Sequence, residues 1–350
     1  MRILLIKMSS LGDIIHTLPA LTDAMQAIPE LKVDWVIEPA FAEIPAWHPA
    51  VDKIIGFDYR NWRKNLIKNF TLNFSAFRQF YKTLREKKYD AVIDPQGLLK
   101  SGVITRLSRG PSHGYDKSSA RESSASIFYR YRYAVDTRQH AVTRIRKLFA
   151  QSLGYPLPTT QPDFHINPSL LPTLPFTPNN RYLVFLHGTT WDTKYYPEPY
   201  WKALLEKTEQ AGITVYLPWG NQTEKDRAEK FARYSKHAHV LPKLTISQMA
   251  TLLRHAQAVL TVDTGLYHLS AAFNTPTIVF FGPSDSNLVG GLGDNQIYLN
   301  ANFPCAPCLQ RHCAYAKTHK TAIVPACFTT IDATMAWEKL EDFLHAKLTK

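Results

Sequence analysis

Short apolar runs alternate with amphipathic helical patterns twice along this 350-residue chain, and a proline-rich stretch separates the two series. Alternation of this kind is typical of parallel α/β sheets, in which each strand returns through a helix. A chain of this length is long for a single hydrophobic core, so two domains are expected. The sequence therefore predicts an α/β protein with two parallel-sheet domains.

The domain boundaries follow from where the two series begin and end. The predicted strands lie near 2–7, 33–37, 53–57, 90–94 and 111–115 in the first half, and near 182–186, 213–217, 238–241, 258–262 and 276–281 in the second. Prolines cluster between 156 and 178, and an apolar stripe over 329–348 predicts a terminal helix. We expect a first domain over 1–165, a linker over 166–180, a second domain over 181–330, and a last helix over 331–350 that can pack back on the first domain.

One strand end in the second half has the features of a phosphate site. The strand near 258–262 is followed by Asp263, Thr264, Gly265 and a helix of small residues that includes His268. The unpaired N–H groups of a helix N-terminus favour an anion, Thr264 can cap this helix, and Gly265 lets a ligand approach the backbone. Asp263 would lie at the carboxyl edge of the sheet, where open α/β folds bind ligands. An ordinary strand–helix turn would have the same spacing.

Three further strand ends carry candidate polar groups. Asp13 follows the first strand on a loop of small residues, where it either serves chemistry or caps the next helix. The segment 187–194 contains Thr189, Thr190 and Lys194, which suit a phosphate clamp, although a lone lysine in a loop is commonly just exposed. Glu224 follows the strand near 213–217 and can cap a helix or bind a sugar hydroxyl.

Two familiar nucleotide signatures are absent from the sequence. The stretch 291–296 comes nearest to the dinucleotide fingerprint but lacks its third glycine, and no Gly-x-x-x-x-Gly-Lys phosphate loop occurs. Any phosphate must therefore be held by other groups.

Positive charge is concentrated in the first half. The chain carries a formal net charge of +12, and residues 1–170 hold 24 Lys and Arg against 15 Asp and Glu. This excess favours an anionic partner such as a phosphorylated lipid, a nucleic acid or a membrane surface, with general solubility as the alternative. No recognisable nucleic-acid module accompanies the charge. No run of about 18 apolar residues and no apolar signal region occurs, so a cytoplasmic location is expected.

All four cysteines lie in one segment, 303–328. Cys305, Cys308, Cys313 and Cys327 have the spacing of a tetrahedral thiolate site, which predicts a structural Zn or Fe. Reduced thiols in an irregular loop are the alternative, and the compartment disfavours a disulfide. Because the loop lies far from Asp13 in sequence, we expect loss of a metal to lower stability before activity.

Four segments, taken in order, resemble the lipopolysaccharide heptosyltransferases of glycosyltransferase family nine. They are residues 1–23 with the loop 9–13, then 187–194, 217–220 and 263–272. The segments 37–39, 60–64 and 94–97 add to the resemblance, which covers about 1–300 and the terminal helix. It implies the GT-B fold, in which two Rossmann-like domains face each other across a cleft. It also implies an inverting transferase that uses no cofactor for catalysis.

The resemblance assigns roles to the candidate residues. L-glycero-D-manno-heptose would move from ADP-heptose to a Kdo residue of Kdo-lipid A, in inner-core lipopolysaccharide biosynthesis, with Asp13 as the general base. The donor would be held by Thr189, Thr190, Lys194, Glu224, Asp263, Thr264, Gly265 and His268. Acceptor phosphates and carboxylates would meet Arg60, Arg63, Lys64, Lys100 and Arg121. The enzyme would be peripheral to the cytoplasmic face of the inner membrane, with no nucleic-acid partner.

Two alternatives to this function stay open at this point. The cysteine segment resembles that of other heptosyltransferases, including some that act on proteins and hold iron there, so the acceptor could be a second inner-core heptose or a protein hydroxyl. A non-enzymatic basic nucleotide or nucleic-acid binder is the remaining class. Duplex binding with a steep salt dependence and no sugar transfer would support that class.

Overall fold

The computed structural model describes residues 1–59 and 70–346 and divides the chain into two compact units, Met1–Leu170 and Leu171–Lys350. The division falls inside the stretch 166–180 that the sequence analysis took as a linker. Each unit contains one six-stranded sheet, and every strand pair in both sheets is parallel. The predicted α/β class with two Rossmann-like sheets is confirmed.

The first unit alternates strands and helices along its length. Its strands are β1 (Arg2–Ile6), β2 (Lys32–Ile37), β3 (Val51–Gly56), β4 (Ala91–Asp94), β5 (Ser112–Tyr115) and β6 (Tyr131–Tyr133). Its helices are α1 (Leu11–Ile15), α2 (Leu18–Ala27), α3 (Phe70–Leu84), α4 (Leu99–Leu107) and α5 (Ala141–Leu153). Short 3₁₀ turns include Ser123–Phe128, which packs along α4.

The first sheet has the order β3-β2-β1-β4-β5-β6, so the direction of strand addition reverses between β1 and β4. Residues Ile3 to Ile6 of β1 are fully buried, as expected for a central parallel strand covered on both faces. Loops after β1 and β4 therefore emerge side by side at the carboxyl edge, which is where such sheets bind ligands.

Two helices of this unit are joined by a buried ion pair. Arg146 on α5 donates to both carboxylate oxygens of Asp23 on α2, at 2.6 and 3.1 Å. Both side chains are almost completely buried. Removing either partner would leave a buried charge uncompensated, which is strongly destabilising.

The second unit repeats the pattern. Its strands are β7 (Tyr182–Leu186), β8 (Thr214–Leu217), β9 (Ala238–Val240), β10 (Ala258–Val262), β11 (Thr277–Phe281) and β12 (Gln296–Asn300). Its helices are α6 (Glu198–Gln210), α7 (Gln222–Ala232), α8 (Ile246–His255), α9 (Gly265–Ala272), α10 (Ser286–Val289), α11 (Tyr315–Thr318) and α12 (Ala333–Ala346).

The second sheet has the order β12-β11-β10-β7-β8-β9. Counted from the first strand of each unit, this is the order of the first sheet, and the reversal lies between β7 and β10. All five residues of β10 are buried, and the same holds for β7. Loops after β7 and β10 are therefore neighbours at the carboxyl edge.

The terminal helix α12 packs on the second unit. The sequence leaves open that α12 packs back on the first domain; in the structure its apolar stripe lies against α6, β10 and β11. Trp337 and Leu340 join the core that also contains Trp201 and Leu204. This core face offers the stripe a complementary apolar surface, so burial there is favourable.

Candidate active site

A side-chain amide joins the two loops at the reversal point of the first sheet. The backbone N–H of Met8, after β1, donates to Gln96 Oε1, after β4, at 2.8 Å. Asp94 at the end of β4 accepts from the Tyr129 hydroxyl at 2.7 Å and from the Gln96 N–H at 2.8 Å. Burial raises the pKa of the Asp94 carboxyl. These bonds hold the loop that leads to Asp13 against the end of β4.

Asp13 is held in the first turn of α1. Its Oδ2 accepts from the Ser10 N–H at 3.1 Å and from the Ser10 hydroxyl at 2.7 Å, so the capping role that the sequence left open is present. Its Oδ1 lies 3.5 Å from Lys7 Nζ. The Lys7 side chain is 6% exposed, whereas that of Asp13 is 36% exposed.

Asp13 is ionised at neutral pH. Burial alone would raise the pKa of this carboxyl, but the charge of Lys7, the bonds from Ser10 and the proximity of His16 outweigh burial. The pKa of Asp13 therefore lies well below its usual range. The structure thus presents a partly exposed carboxylate at a ligand-binding edge, which is what a proton acceptor requires.

The basic residues predicted for the acceptor differ in their surroundings. Lys100 on α4 lies 3.8 Å from Glu38 Oε1 and 4.8 Å from the ring centroid of Tyr59, so its charge is already engaged within the first unit. Arg121 is exposed. Arg60, Arg63 and Lys64 lie outside the described residues.

The second sheet has its own charged pair at the reversal point. Lys194 Nζ, on the loop after β7, lies 2.5 Å from Asp263 Oδ2, at the end of β10. His268 Nε2 on α9 lies 3.8 Å from the other carboxylate oxygen. Burial alone would raise the pKa of Asp263, but the charges of Lys194 and His268 outweigh it and lower this pKa. Asp263 is therefore an ionised, buried support for Lys194.

The helix after Asp263 begins as predicted, but its cap differs. Thr264 occupies the N-cap position and its side chain makes no capping hydrogen bond, so the prediction that Thr264 caps α9 is wrong in this respect. The physical reason is that the Tyr267 N–H, a natural partner for a capping hydroxyl, bonds to the Thr264 carbonyl at 3.1 Å. The Thr264 hydroxyl therefore lies beside Gly265 without a capping bond.

The hydroxyl pair after β7 is partly accessible. Thr189 is buried and Thr190 is exposed. The Tyr195 hydroxyl donates to the Thr189 carbonyl at 2.7 Å, which closes the loop between β7 and α6. Both threonines and Lys194 therefore belong to one compact loop.

Glu224 lies between two glycine turns. Its Oε2 accepts from the Gly220 N–H at 2.7 Å, and a Cβ added to Gly188 would approach its Cδ to 2.7 Å. The cap of α7 is Asn221, whose Oδ1 accepts from the Glu224 N–H at 3.0 Å. The glycine at 188 thus allows a carboxylate to pack against the end of β7, beside the predicted phosphate loop.

Two residues near this loop were not singled out from the sequence. His187 is buried at the end of β7, and burial, with the charge of Arg227, lowers its pKa to about 3. Arg227 on α7 lies 3.9 Å from the ring centroid of Tyr195. No spacing pattern marks either residue, because the contacts join elements that are distant in sequence.

The cysteine segment borders the same loop. The Thr193 hydroxyl donates to the Gln310 carbonyl at 2.5 Å, and His312 Nδ1 lies 3.1 Å from Asp192 Oδ2. The Leu309 N–H donates to the Pro283 carbonyl at 2.8 Å. The cysteine segment lies far from Asp13 in sequence, which predicts a purely structural role. The fold, however, brings this segment beside the loop of Lys194.

The thiols influence one another without forming a closed cluster. Burial and the other three cysteines raise the pKa of Cys327 to about 12, and burial with Cys308 and Cys313 raises that of Cys305. In the part of the chain that the structure describes, no three His, Cys, Asp or Glu side chains are grouped so as to hold a metal ion. The described residues therefore do not show the predicted structural Zn or Fe.

The two Rossmann-like units, each a six-stranded parallel sheet, match the fold of glycosyltransferases of the GT-B class. The chain belongs to glycosyltransferase family 9, the heptosyltransferases, whose family model matches residues 77–319.

Individual relatives agree with this family. The lipopolysaccharide heptosyltransferase 1 of Pseudomonas aeruginosa is 48% identical over 357 aligned residues, which cover 100% of this chain and 99% of the relative. The enzyme of the same name from Escherichia coli K12 is 47% identical, with 86% of this chain and 94% of the relative covered. The solved structure of E. coli heptosyltransferase WaaC with ADP is 41% identical and superposes with a TM-score of 0.84, covering 98% of this chain and all (100%) of that one.

Within the residues that the structure describes, no helix is long and apolar enough to cross a membrane.

Proposed function

We propose that this glycosyltransferase moves L-glycero-D-manno-heptose from ADP-heptose to a Kdo residue of Kdo-lipid A in the inner core of lipopolysaccharide. The observation that carries the proposal is the Lys194–Asp263 pair beside the N-terminus of α9, which suits a nucleoside diphosphate. Relatives of 48% and 47% identity are named lipopolysaccharide heptosyltransferase 1, which supports heptose as the sugar and lipopolysaccharide as the class of acceptor.

The reaction needs one proton acceptor and a stabilised leaving group. The acceptor hydroxyl attacks the anomeric carbon of the heptose, the bond from that carbon to the diphosphate oxygen breaks, and ADP leaves. Asp13 takes the hydroxyl proton as the new bond forms, and its lowered pKa keeps it ionised beforehand. Attack opposite to the leaving group inverts the anomeric centre.

The donor is held by the second unit in this proposal. Lys194, the hydroxyls of Thr189, Thr190 and Thr264, and the backbone at Gly265 bind the diphosphate and offset charge on the departing ADP. Asp263 and His268 keep Lys194 in place, and Asp263 also orients sugar hydroxyls. Glu224 binds the ribose, because its carboxylate is already directed by Gly220 and Gly188.

In this proposal the first unit binds the acceptor and the membrane surface. Arg60, Arg63, Lys64, Lys100 and Arg121 bind acceptor phosphates and Kdo carboxylates. On α4 and the turn that packs along it, Leu99, Val103 and Ile127 are exposed apolar side chains, and Arg106 on α4 is exposed as well. An apolar and basic surface of this kind favours peripheral binding to an anionic bilayer on the cytoplasmic side.

The decisive assay measures ADP release and heptose attachment with ADP-heptose, using Kdo-lipid A as acceptor. A serine-containing peptide and a Kdo-lipid A that already bears the first heptose serve as alternative acceptors. Transfer to Kdo-lipid A that far exceeds transfer to either of these supports the proposal. Equal or greater transfer to a different acceptor would reassign the substrate, and no transfer to any acceptor would refute the proposal.

The structural metal of the cysteine segment stays a prediction beside this function. Its support is that Cys308 and Cys313 lie near enough to raise the pKa of Cys305, and that the other three thiols raise the pKa of Cys327. Elemental analysis of the purified protein should find about one equivalent of Zn or Fe, and a single Cys308→Ser change should deplete it. Metal-free protein with unchanged stability would exclude the site.

A further inference from the structure

A short segment between two of the cysteines is fastened to the loop that carries Lys194. We call residues 309–312 the arginine segment. The Leu309 N–H bonds to the Pro283 carbonyl at 2.8 Å, the Gln310 carbonyl accepts from the Thr193 hydroxyl at 2.5 Å, and His312 Nδ1 lies 3.1 Å from Asp192 Oδ2. Contacts thus anchor three of its four residues.

The fourth residue, Arg311, shares an aromatic ring with Lys194. The Arg311 Cζ atom lies 5.3 Å from the centroid of the Trp191 ring, and Lys194 Nζ lies 4.6 Å from the same centroid. Arg311 is exposed, and among the described residues no carboxylate lies within ion-pair distance of it. The guanidinium therefore stands beside the Lys194 loop with N–H donors to spare.

The charge balance of the site calls for such a group. Lys194 is paired at 2.5 Å with the ionised carboxylate of Asp263, so the two formal charges cancel. A nucleoside diphosphate carries several negative charges, and its charge grows on the leaving oxygen as the sugar departs. Hydroxyls and the partial charge of one helix N-terminus offset only part of this.

We propose that Arg311 binds the diphosphate of the donor as a second cation beside Lys194. The inference rests on the proposed function and extends its donor site to a residue of the cysteine segment. A planar guanidinium can bind phosphate oxygens through two parallel hydrogen bonds, which a lysine cannot. Cys308 and Cys313 flank the arginine segment, so their segment positions a ligand-binding residue.

The test compares binding of ADP and of adenosine by titration calorimetry. Arg311→Gln should weaken ADP binding about 10-fold, because a charged contact to phosphate is lost, and should leave adenosine binding unchanged. Arg311→Lys should lie between Arg311→Gln and the wild type. Arg233→Gln, which removes an exposed arginine at the far end of α7, is the matched control and should change neither affinity.

The outcomes separate this inference from the proposed function. Unchanged ADP affinity in Arg311→Gln would overturn the inference while the transferase assay stands. Equal weakening of ADP and adenosine would also overturn it, because Arg311 would then only support the fold of the loop. Wild-type protein that binds neither compound would refute the donor assignment itself.

Discussion

Each unit places a lysine–aspartate pair where the strand order of its sheet reverses, but the two pairs are exposed in opposite ways. In the first unit the Lys7 side chain is 6% exposed and that of Asp13 is 36% exposed. In the second unit Asp263 is 6% exposed and Lys194 is 16% exposed. The atoms of the first pair are 3.5 Å apart and those of the second 2.5 Å.

The difference shows how one topology provides two kinds of chemistry. A buried lysine behind a more exposed aspartate keeps the carboxylate ionised and leaves an oxygen for a substrate proton. A buried aspartate behind a more exposed lysine keeps the ammonium in place, and the proposed function has its N–H donors bind a phosphate. In the first unit the buried lysine lowers the pKa of the more exposed aspartate, and in the second the buried aspartate pairs with the more exposed lysine. The proposed function has the more exposed partner of each pair act on the substrate.

Replacing the exposed carboxylate of the first pair should have the largest effect on turnover. Asp13→Asn should lower turnover at least about 100-fold, because an amide cannot take the proton of the acceptor hydroxyl. ADP affinity, measured by calorimetry, should stay the same because the proposed function places the donor in the second unit. Asp116→Asn, at an aspartate whose carboxylate accepts bonds from Ser118 and Ser119 in its own turn, is the control and should retain turnover. Near wild-type turnover of Asp13→Asn would remove the general base from the mechanism.

Replacing the more exposed lysine of the second pair should have the next largest effect, on the use of ADP-heptose. Lys194→Ala should reduce kcat/KM for ADP-heptose roughly 10- to 150-fold, because a charged contact to the diphosphate is lost. Steady-state kinetics with both substrates varied should show little change in the KM for the acceptor. Lys202→Ala, at a surface lysine beside Glu206, should behave as wild type. An unchanged donor kcat/KM would show that the second pair is only structural.

The buried lysine of the first pair should act through the pKa of Asp13. Lys7 helps to hold this pKa below its usual range, so Lys7→Met should raise it. The catalytic form is the carboxylate, and activity is therefore lost as pH falls through the pKa. The acid limb of the pH–rate profile should move up by about one to three pH units.

The control for this change is Lys53→Met, at a lysine paired with the exposed Glu86. Its pH–rate profile should match that of the wild type. If the acid limb of Lys7→Met does not move, Lys7 does not tune Asp13, and the comparison of the two pairs fails on the first unit.

The smallest expected effect is on the KM for ADP-heptose, and it comes from filling the space beside Glu224. Gly188→Ala should displace the Glu224 carboxylate, which is the flexible end of a side chain, and raise the KM for ADP-heptose about 2- to 10-fold. The melting temperature should change little. Gly56→Ala, whose added methyl would meet Pro39 Cγ at 3.5 Å, is the control. If Glu224→Ala raises this KM and Gly188→Ala does not, the glycine is not what places the carboxylate.

Central elements could be predicted from the sequence because their residues carry a strong local signal. The strands β1, β7 and β10 are continuous apolar runs, and burial on both faces requires that composition. The edge strands β6 and β12 were missed, since Tyr131 is exposed and Gln296 is half-buried and neither strand forms a continuous buried run.

The candidate site was recognised in pieces. Asp13, Lys194 and Asp263 could each be singled out because each follows a strand, and the ends of parallel strands share one edge of a sheet. Their partners could not be assigned. Lys194 and Asp263 are 69 positions apart, and Met8 and Gln96 are 88 apart. The contact between the arginine segment and the loop of Lys194 had no signal in spacing at all.

The sequence by itself determined the alternation of strands and helices, the division into two domains and the polar residues at the strand ends. These follow from local hydrophobic pattern and turn chemistry, which act over a few residues. Only the tertiary structure decided which strands are neighbours, and with them which lysine faces which aspartate and which partner is buried. Parallel pairing joins segments that are distant in the chain, so the exposure on which the proposed roles of Asp13 and Lys194 depend arises only when each sheet is assembled.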